Sequence, residues 1–445
     1  MRRAIVFVFL GSCAFPEKTW DPSRPPEPLK VEKKLPDGRC PIDLGTVLRL
    51  AGANNLEVAF VREKVAEAYA REKLAWERFV PVIGPEFTFR RHEGLTQGTD
   101  GAFVEVDKQS AFSAGRLRFR WEVGESIFAI LASARRSDAS LENLRGTENS
   151  IALAAGLAYY DLLREQVRAR VLEDSVKASR KLEAELKVAV EAKRGFEGDR
   201  LRASVQATGA QISVERAREA AKIAGIRLAT LLRLPPEIEL AAVEEEPQPL
   251  RLIPPGPLPE HVGRALESRP ELRAALAELT AARQDRLGAT WGPLVPDIGV
   301  DLSWGGLGAV FGEAVSSRDY VVTLGWRIGP GGLFDLGRRD LEDSRVRQAE
   351  IRFEQVRHRV IEETRSAWEQ LQARERMLAL VRQEVRDAEE ALRLNLERQA
   401  ANIGLPLEVL QAEEALTRAR VDFATVVIEY NQAQLRLMAA MGRKP

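Results

Sequence analysis

An internal duplication constrains this chain more than any other feature. Gly195, Asp199, Leu201 and Ala203 find counterparts in Gly404, Glu408, Leu410 and Ala412 at a constant offset of 209 residues. At the same offset, Ile226-Arg227-Leu228 falls on Leu435-Arg436-Leu437. Nearer the N-terminus, Pro81-Val82-Ile83-Gly84-Pro85-Glu86-Phe87 matches Pro296-Asp297-Ile298-Gly299-Val300-Asp301-Leu302. A period of roughly 210 residues is far too long for a solenoid unit, so a whole domain is doubled.

Proline marks the joints of the doubled unit. Seven prolines lie between Pro16 and Pro41 and eight between Pro235 and Pro259, the signature of extended segments. None occurs from Glu86 to Leu234, and only Pro406 interrupts Gly331 to Lys444. Long proline-free stretches rich in Ala, Leu, Glu and Arg suit long helices. The expected organisation is a first repeat over 42–234 and a second over 260–442, joined by a linker at 235–259 and preceded by an extended segment at 14–41. Each repeat begins with a helix, Leu44 to Phe79 and His261 to Trp291. A β-hairpin follows, over 82–123 and 297–328. Two long helices then close each repeat, over 137–194 and 199–234, and over 338–401 and 407–441. The first of these is nearly sixty residues, on the order of 85 Å at 1.5 Å per residue. Gly195 to Gly198 and Asn402 to Pro406 are the expected hairpin turns, because glycine and asparagine tolerate left-handed backbone.

The long helices carry a seam of alternating three- and four-residue spacings. In the second repeat it runs through Phe353, Val356, Val360, Ala367, Leu371, Leu378, Val381, Val385, Ala388 and Leu392, broken by Thr364 and Arg374. In the first it runs through Ile151, Ala155, Ala158, Leu162, Ala169, Leu172 and Val176, broken by Glu165. Such a seam specifies left-handed helix-on-helix packing, and alone it would fit a coiled-coil rod.

Composition narrows the function. The 66 basic and 66 acidic residues balance, which gives no argument for a nucleic-acid partner. Two cysteines, Cys13 and Cys40, and three dispersed histidines make neither a disulfide framework nor a zinc site, and no metal or other cofactor is expected. Phosphate-loop and nucleophile-elbow motifs are missing, and Phe311 stands where a dinucleotide motif needs its third glycine. An enzyme is not expected. The first thirteen residues read as an export signal: Arg2 and Arg3, a short apolar run from Ala4 to Leu10, then Leu10-Gly11-Ser12-Cys13, which resembles a lipobox with Cys13 as lipid anchor. No apolar stretch approaches the eighteen or so residues of a spanning helix, so a bilayer crossing would have to use strands.

The strands have the matching pattern. Leu117, Phe119, Trp121 and Val123 alternate with Arg118, Arg120 and Glu122, and Ile298, Val300, Leu302 and Trp304 with Gly299, Asp301 and Ser303. Tyr320, Val322, Leu324, Trp326 and Ile328 alternate with Val321, Thr323, Gly325 and Arg327. Phe87 and Phe89 do so more briefly. Period two with aromatics near strand ends suits a barrel wall with lipid on one side and water on the other. Four strands cannot close a barrel, and open edges in lipid leave unpaired backbone groups costing several kcal/mol each. A barrel must therefore be shared between chains, with eight strands from two or twelve from three.

From about Ile42 to Gly442 the chain resembles the TolC-like outer-membrane efflux channels. The likeness rests on the duplicated helix-hairpin-helix layout, the Pro-x-Ile strand start and Ala158-Tyr159-Tyr160-Asp161-Leu162-Leu163. It also rests on Leu333-Phe334-Asp335-Leu336-Gly337-Arg338, Leu407-Glu408-Val409-Leu410-Gln411-Ala412 and Tyr430-Asn431-x-Ala433-Gln434-Leu435-Arg436-Leu437. The resemblance implies an α+β membrane protein whose long-helix hairpins form an α-helical tunnel. Its four strands per chain would contribute to a twelve-stranded barrel shared by a homotrimer. It further implies a passive exit duct in outer-membrane lipid, served by a periplasmic adaptor and an inner-membrane pump in efflux or type I secretion. Gly195, Gly198 and Asp199 would form one adaptor-docking tip, and Asn402 and Gly404 the other. Glu408 would set a ring of three carboxylates at the tunnel entrance, with Gln411 where some members carry a second acid. Family members commonly place a glycine six residues before the tip acid, where this chain has Lys193 and Asn402. The competing expectation is a periplasmic or lipid-anchored coiled-coil scaffold that forms no channel.

Overall fold

Each leading helix breaks in two, at matching places in the two copies. The structure, a computed structural model, describes residues 39–401 and 403–444. The export segment with Cys13, most of the extended segment and Asn402 lie outside the described residues. Helix α1 (Leu44–Asn54) starts at Asp43, whose Oδ1 accepts from the Thr46 amide at 3.0 Å. Asn55 then leaves helical geometry, and its Oδ1 accepts from the Glu57 amide at 2.8 Å to restart the chain as α2 (Leu56–Glu77). In the second copy α5 (Leu258–Ser268) gives way to α6 (Pro270–Trp291), with extended Arg269 between them. A residue before proline is pushed out of the helical region, and Pro270 is at home in a first turn.

The long helices are α3 (Val123–Glu191), α4 (Glu197–Leu231), α7 (Leu336–Ala400) and α8 (Pro406–Ala440). Helix α3 starts at Val123 rather than Ser137, so the strand pattern ending on Val123 runs one step too far. The physical reason is a change of period after Trp121: the Ser126 amide already bonds the Glu122 carbonyl at 2.9 Å. The four strands are β2 (Val82–Gln97), β3 (Phe103–Trp121), β5 (Asp297–Gly308) and β6 (Val315–Gly325), in one antiparallel sheet of order β2-β3-β5-β6. Trp326 and Ile328 fall beyond the end of β6. A further pair, β1 (Cys40–Ile42) and β4 (Leu240–Ala242), runs parallel. The chain thus has the mixed helical and strand architecture expected of it.

Two compact units emerge, and they cut across the repeats. One comprises the residues up to Arg62, Thr147–Ser268 and the chain from Glu362 onward; the other comprises Glu63–Gly146 and Arg269–Ile361. Each unit therefore draws on both copies.

In the first unit, Ala367, Leu371 and Leu378 of α7 pack with Val427, Tyr430, Ala433 and Leu437 of α8 around Ile253. The two breaks in the seam are absorbed chemically. Thr364 is buried and donates its hydroxyl to the Ala440 carbonyl at 3.3 Å, while Arg374 reaches out to Glu429 at 3.0 Å. The proline-rich linker is pinned to α8. Asn431 accepts from the Leu250 amide at 2.8 Å and donates to the Gln248 carbonyl at 2.9 Å. Gln434 accepts from the Ile253 amide at 3.1 Å. Side-chain amides thus pair the backbone groups that an extended segment cannot pair within itself.

Candidate functional site

The strand register gathers the apolar stripes onto one face of the sheet. Directly paired residues of antiparallel strands share a face. Leu117 lies opposite Leu302 and Ile83, Phe119 opposite Val300, and Trp121 opposite Ile298. In turn Leu302 lies opposite Tyr320, Val300 opposite Val322, and Ile298 opposite Leu324. Phe87, Phe89 and Trp304 continue the same face. Tyr320, Val322 and Leu324 are 70%, 72% and 62% exposed, so nothing among the described residues covers this surface. From Ile298 to Trp304 is six residue steps, on the order of 20 Å, against the band about 25 Å tall that membrane barrels turn to lipid.

Aromatic rings collect where the sheet meets the helices. Phe119 and Trp121 stack edge-on at 4.6 Å, and Phe79 meets Trp121 at 5.3 Å. Trp326 joins this end from outside the strand, donating its indole N–H to the Leu294 carbonyl at 3.0 Å. At the other end, Trp304 lies across Gly115, where any Cβ would come within 2.9 Å of the indole.

The opposite face is ionic. Arg116 forks onto both Asp301 oxygens at 2.7 Å and reaches Glu86 at 2.6 Å, and Arg118 approaches Asp301 at 3.5 Å. One wall therefore presents a mainly hydrocarbon face, interrupted by Arg318 opposite Trp304, and paired charge on the other side. Its outer strands β2 and β6 each leave one edge without a partner among the described residues. At the strand–helix junction Arg338 pairs bidentately with Glu125 at 2.8 and 3.1 Å. Asp335 opens α7 there, accepting from the Gly331 amide at 2.8 Å and the Arg338 amide at 3.0 Å. These two backbone bonds hold its carboxyl below the ordinary range. The Phe334-Asp335 motif thus works as a helix cap.

The helix tips distribute their roles differently from the sequence expectation. Left-handed backbone falls on Lys193, with φ of 58°, and not on Gly195 or Gly404. The Arg194 amide closes back to the Ala189 carbonyl at 2.8 Å, a helix-ending turn that glycine usually serves. The glycines are required for close approach instead. A Cβ on Gly195 would meet Ala189 Cβ at 3.2 Å, and one on Gly404 would meet the Gln399 nitrogen at 2.9 Å. Gly198 is exposed in the first turn of α4, and Asp199 pairs with Arg202 at 3.0 Å. Glu408 lies in the first turn of α8, where its carboxylate accepts from the Leu405 amide at 3.4 Å and pairs with Arg398 at 3.4 Å. Gln411 is exposed one turn on. Around them Phe196, Ile403 and Leu405 are exposed, while Leu182, Leu186, Ala203, Val409 and Leu410, with Leu392 of α7 against them, pack the four helix ends together. The exposed apolar tip residues, which carry no periodic signal, escaped the sequence reading.

Among the described residues no helix is long and apolar enough to cross a membrane, and no group of three or more His, Cys, Asp or Glu side chains could hold a metal ion. Comparison with curated proteins finds no significant match. Residues 262–443 match the family model described as outer membrane efflux protein. Among solved structures, the outer-membrane channel OprN superposes with a TM-score of 0.77 at 20% identity, covering 90% of this chain and 89% of its own. VceC of Vibrio cholerae superposes with 0.75 at 16% identity, covering 90% and 96%. The open state of MtrE from Neisseria gonorrhoeae gives 0.75 at 16% identity, covering 90% and 89%. The second half of the chain thus matches the outer membrane efflux protein model, and the chain as a whole has the fold of these outer-membrane proteins.

Proposed function

We propose that this chain is the subunit of a passive exit duct in the outer membrane, working as a homotrimer with a periplasmic adaptor and an inner-membrane pump. One observation carries the reading: a four-stranded antiparallel sheet with a mainly apolar face, an ion-paired opposite face and two open edges. Strands β2 and β6 run in opposite directions, so head-to-tail closure of copies keeps every pair antiparallel, and three copies give twelve strands. Such a wall satisfies its backbone in lipid, which a single chain's sheet cannot do. A coiled-coil scaffold would leave the aromatic face in water, and the efflux-protein match favours the duct.

The apolar tip residues Phe196, Ile403 and Leu405 suit docking by an adaptor, with Gly195, Gly198, Asp199, Asn402 and Gly404 shaping the turns. Glu408 remains the candidate gate, with its bond to Arg398 as the contact that opening would break. Transport here is by diffusion, with no chemistry assigned to any residue. The test is single-channel conductance of the purified chain in planar bilayers, together with its native mass. A conducting trimer is expected, with higher conductance on Glu408→Ala. A monomer that stays soluble without detergent and does not conduct would overturn the duct.

A further inference from the structure

We infer that the barrel lumen is lined to favour anionic solutes, through a cationic collar at the distal end of the β2–β3 hairpin. The inference rests on the duct reading and adds a class of cargo to it. Beyond Phe89 and Ala111 the hairpin extends past the four-stranded sheet, and its charges are sorted by face. On the face continuous with Arg116 and Arg118 stand Arg90, His92 and Lys108, with His92 directly opposite Lys108 and Arg90 two residues away on the same strand. On the face continuous with the apolar stripe stand Glu93, Glu105 and Asp107, with Arg91 paired to Glu93 and, at 3.2 Å, to Asp107. Every wall acid at this level is turned outward. The remaining nearby acids, Asp100 and Glu313, belong to the connecting turns.

Within the sheet, three of the inward acids are charge-paired, and the fourth, Asp319, lies mid-wall with only a hydroxyl partner among the described residues. Glu86 and Asp301 bind Arg116, Asp297 binds Arg327 at 3.0 Å, and Asp319 accepts from Ser303 at 3.3 Å. Arg90, Lys108 and Arg120 are exposed and have no ion-pair partner among the described residues. The uncompensated charge of this face is therefore positive at both ends. Three copies would place rings of Arg90 and Lys108 at the outer mouth and a ring of Arg120 at the inner end. Rings of basic side chains select anions as rings of acids select cations, and a low-dielectric wall focuses their field along the bore.

The test is the reversal potential of the full chain carrying Glu408→Ala, which removes the acid ring proposed at the tunnel entrance, in planar bilayers under a potassium chloride gradient. Chloride is expected to permeate better than potassium. The triple variant Arg90→Gln, Lys108→Gln, Arg120→Gln should lower that ratio by about twofold or more, and the difference should fade as salt rises and screening shortens to a few ångströms. Should the triple variant assemble poorly, Lys108→Glu alone, at an exposed site, should move the ratio the same way. A conducting channel that prefers potassium, or variants with the parent's ratio, would overturn the collar and leave the duct standing. A chain that never conducts would overturn both.

Discussion

Lys193 holds a left-handed turn with a side chain that gains nothing from it. It is exposed and has no ion-pair partner among the described residues, while its φ of 58° crowds Cβ against the carbonyl that follows. Glycine in that position loses more backbone entropy on folding, but it removes a clash worth about 1 kcal/mol. Lys193→Gly is therefore expected to raise the thermal midpoint of the detergent-solubilised protein. A lower midpoint would show that Lys193 makes a compensating contact. Glu244, half-buried in the linker, offers a second test. Burial raises its carboxyl pKa above the ordinary value. A raised carboxyl adds stability below its unfolded pKa of about 4.3, and that stability is lost as pH climbs through the folded value. Glu244→Gln should thus be more stable than the parent at pH 7, with the gap closing towards pH 4. An equal gap at both pH values would locate the effect elsewhere than in ionisation.

At the scale of elements, what was legible followed from period. The four strands stood out because apolar residues alternate, and the long helices because seams and proline-free runs persist over many turns. Breaks within elements were less visible. Asn55 restarts a helix through one side-chain oxygen, and Arg269 leaves helical geometry only because Pro270 follows it. Strands β1 and β4 are three residues each and pair across some two hundred residues of sequence, too short to show any period. At the tips, Glu408 was singled out by the family resemblance, but its bond to Arg398 depends on how two helix ends meet, which spacing does not encode. The apolar face itself makes the element-scale prediction. Leu324 is 62% exposed, directly opposite Ile298. Leu324→Asp puts a carboxylate on the apolar face in the row of Ile298 and Trp121, near the end of the sheet, where the expected cost is below the roughly 2 kcal/mol of a midplane site. Membrane-assembled trimer should fall, as read by heat-resistant oligomer on gels, whereas Thr323→Asp on the opposite face should assemble normally. Equal assembly of both variants would mean that neither face meets lipid.

For the whole molecule the decisive matter is what satisfies the free edges of β2 and β6. Each edge is a row of unpaired N–H and C=O groups, tolerable in water but not in hydrocarbon, so in lipid each must pair with another chain. Because β2 and β6 are antiparallel and occupy opposite ends of the strand order, every copy offers one edge of each kind. The contact is then heterologous, and the duct reading requires it to close as a ring of three, which fixes a readable outcome for cross-linking. Phe87→Cys on β2 can be combined in turn with Arg318→Cys, Tyr320→Cys and Val322→Cys on β6, all on the same face by register. Where two cysteines come opposite one another across the seam, their Cα atoms approach to about 5.5 Å and a disulfide can form. One register should give a ladder of dimer and trimer on non-reducing gels, with no band above trimer. Neighbouring positions, two residues along β6, keep the same face but set the Cα atoms about 7–8 Å apart, beyond disulfide reach, and should cross-link weakly. A ladder continuing past trimer would indicate an open assembly, and cross-links confined to single chains would mean that the sheet closes on itself. Either result would remove the twelve-stranded wall on which the duct depends.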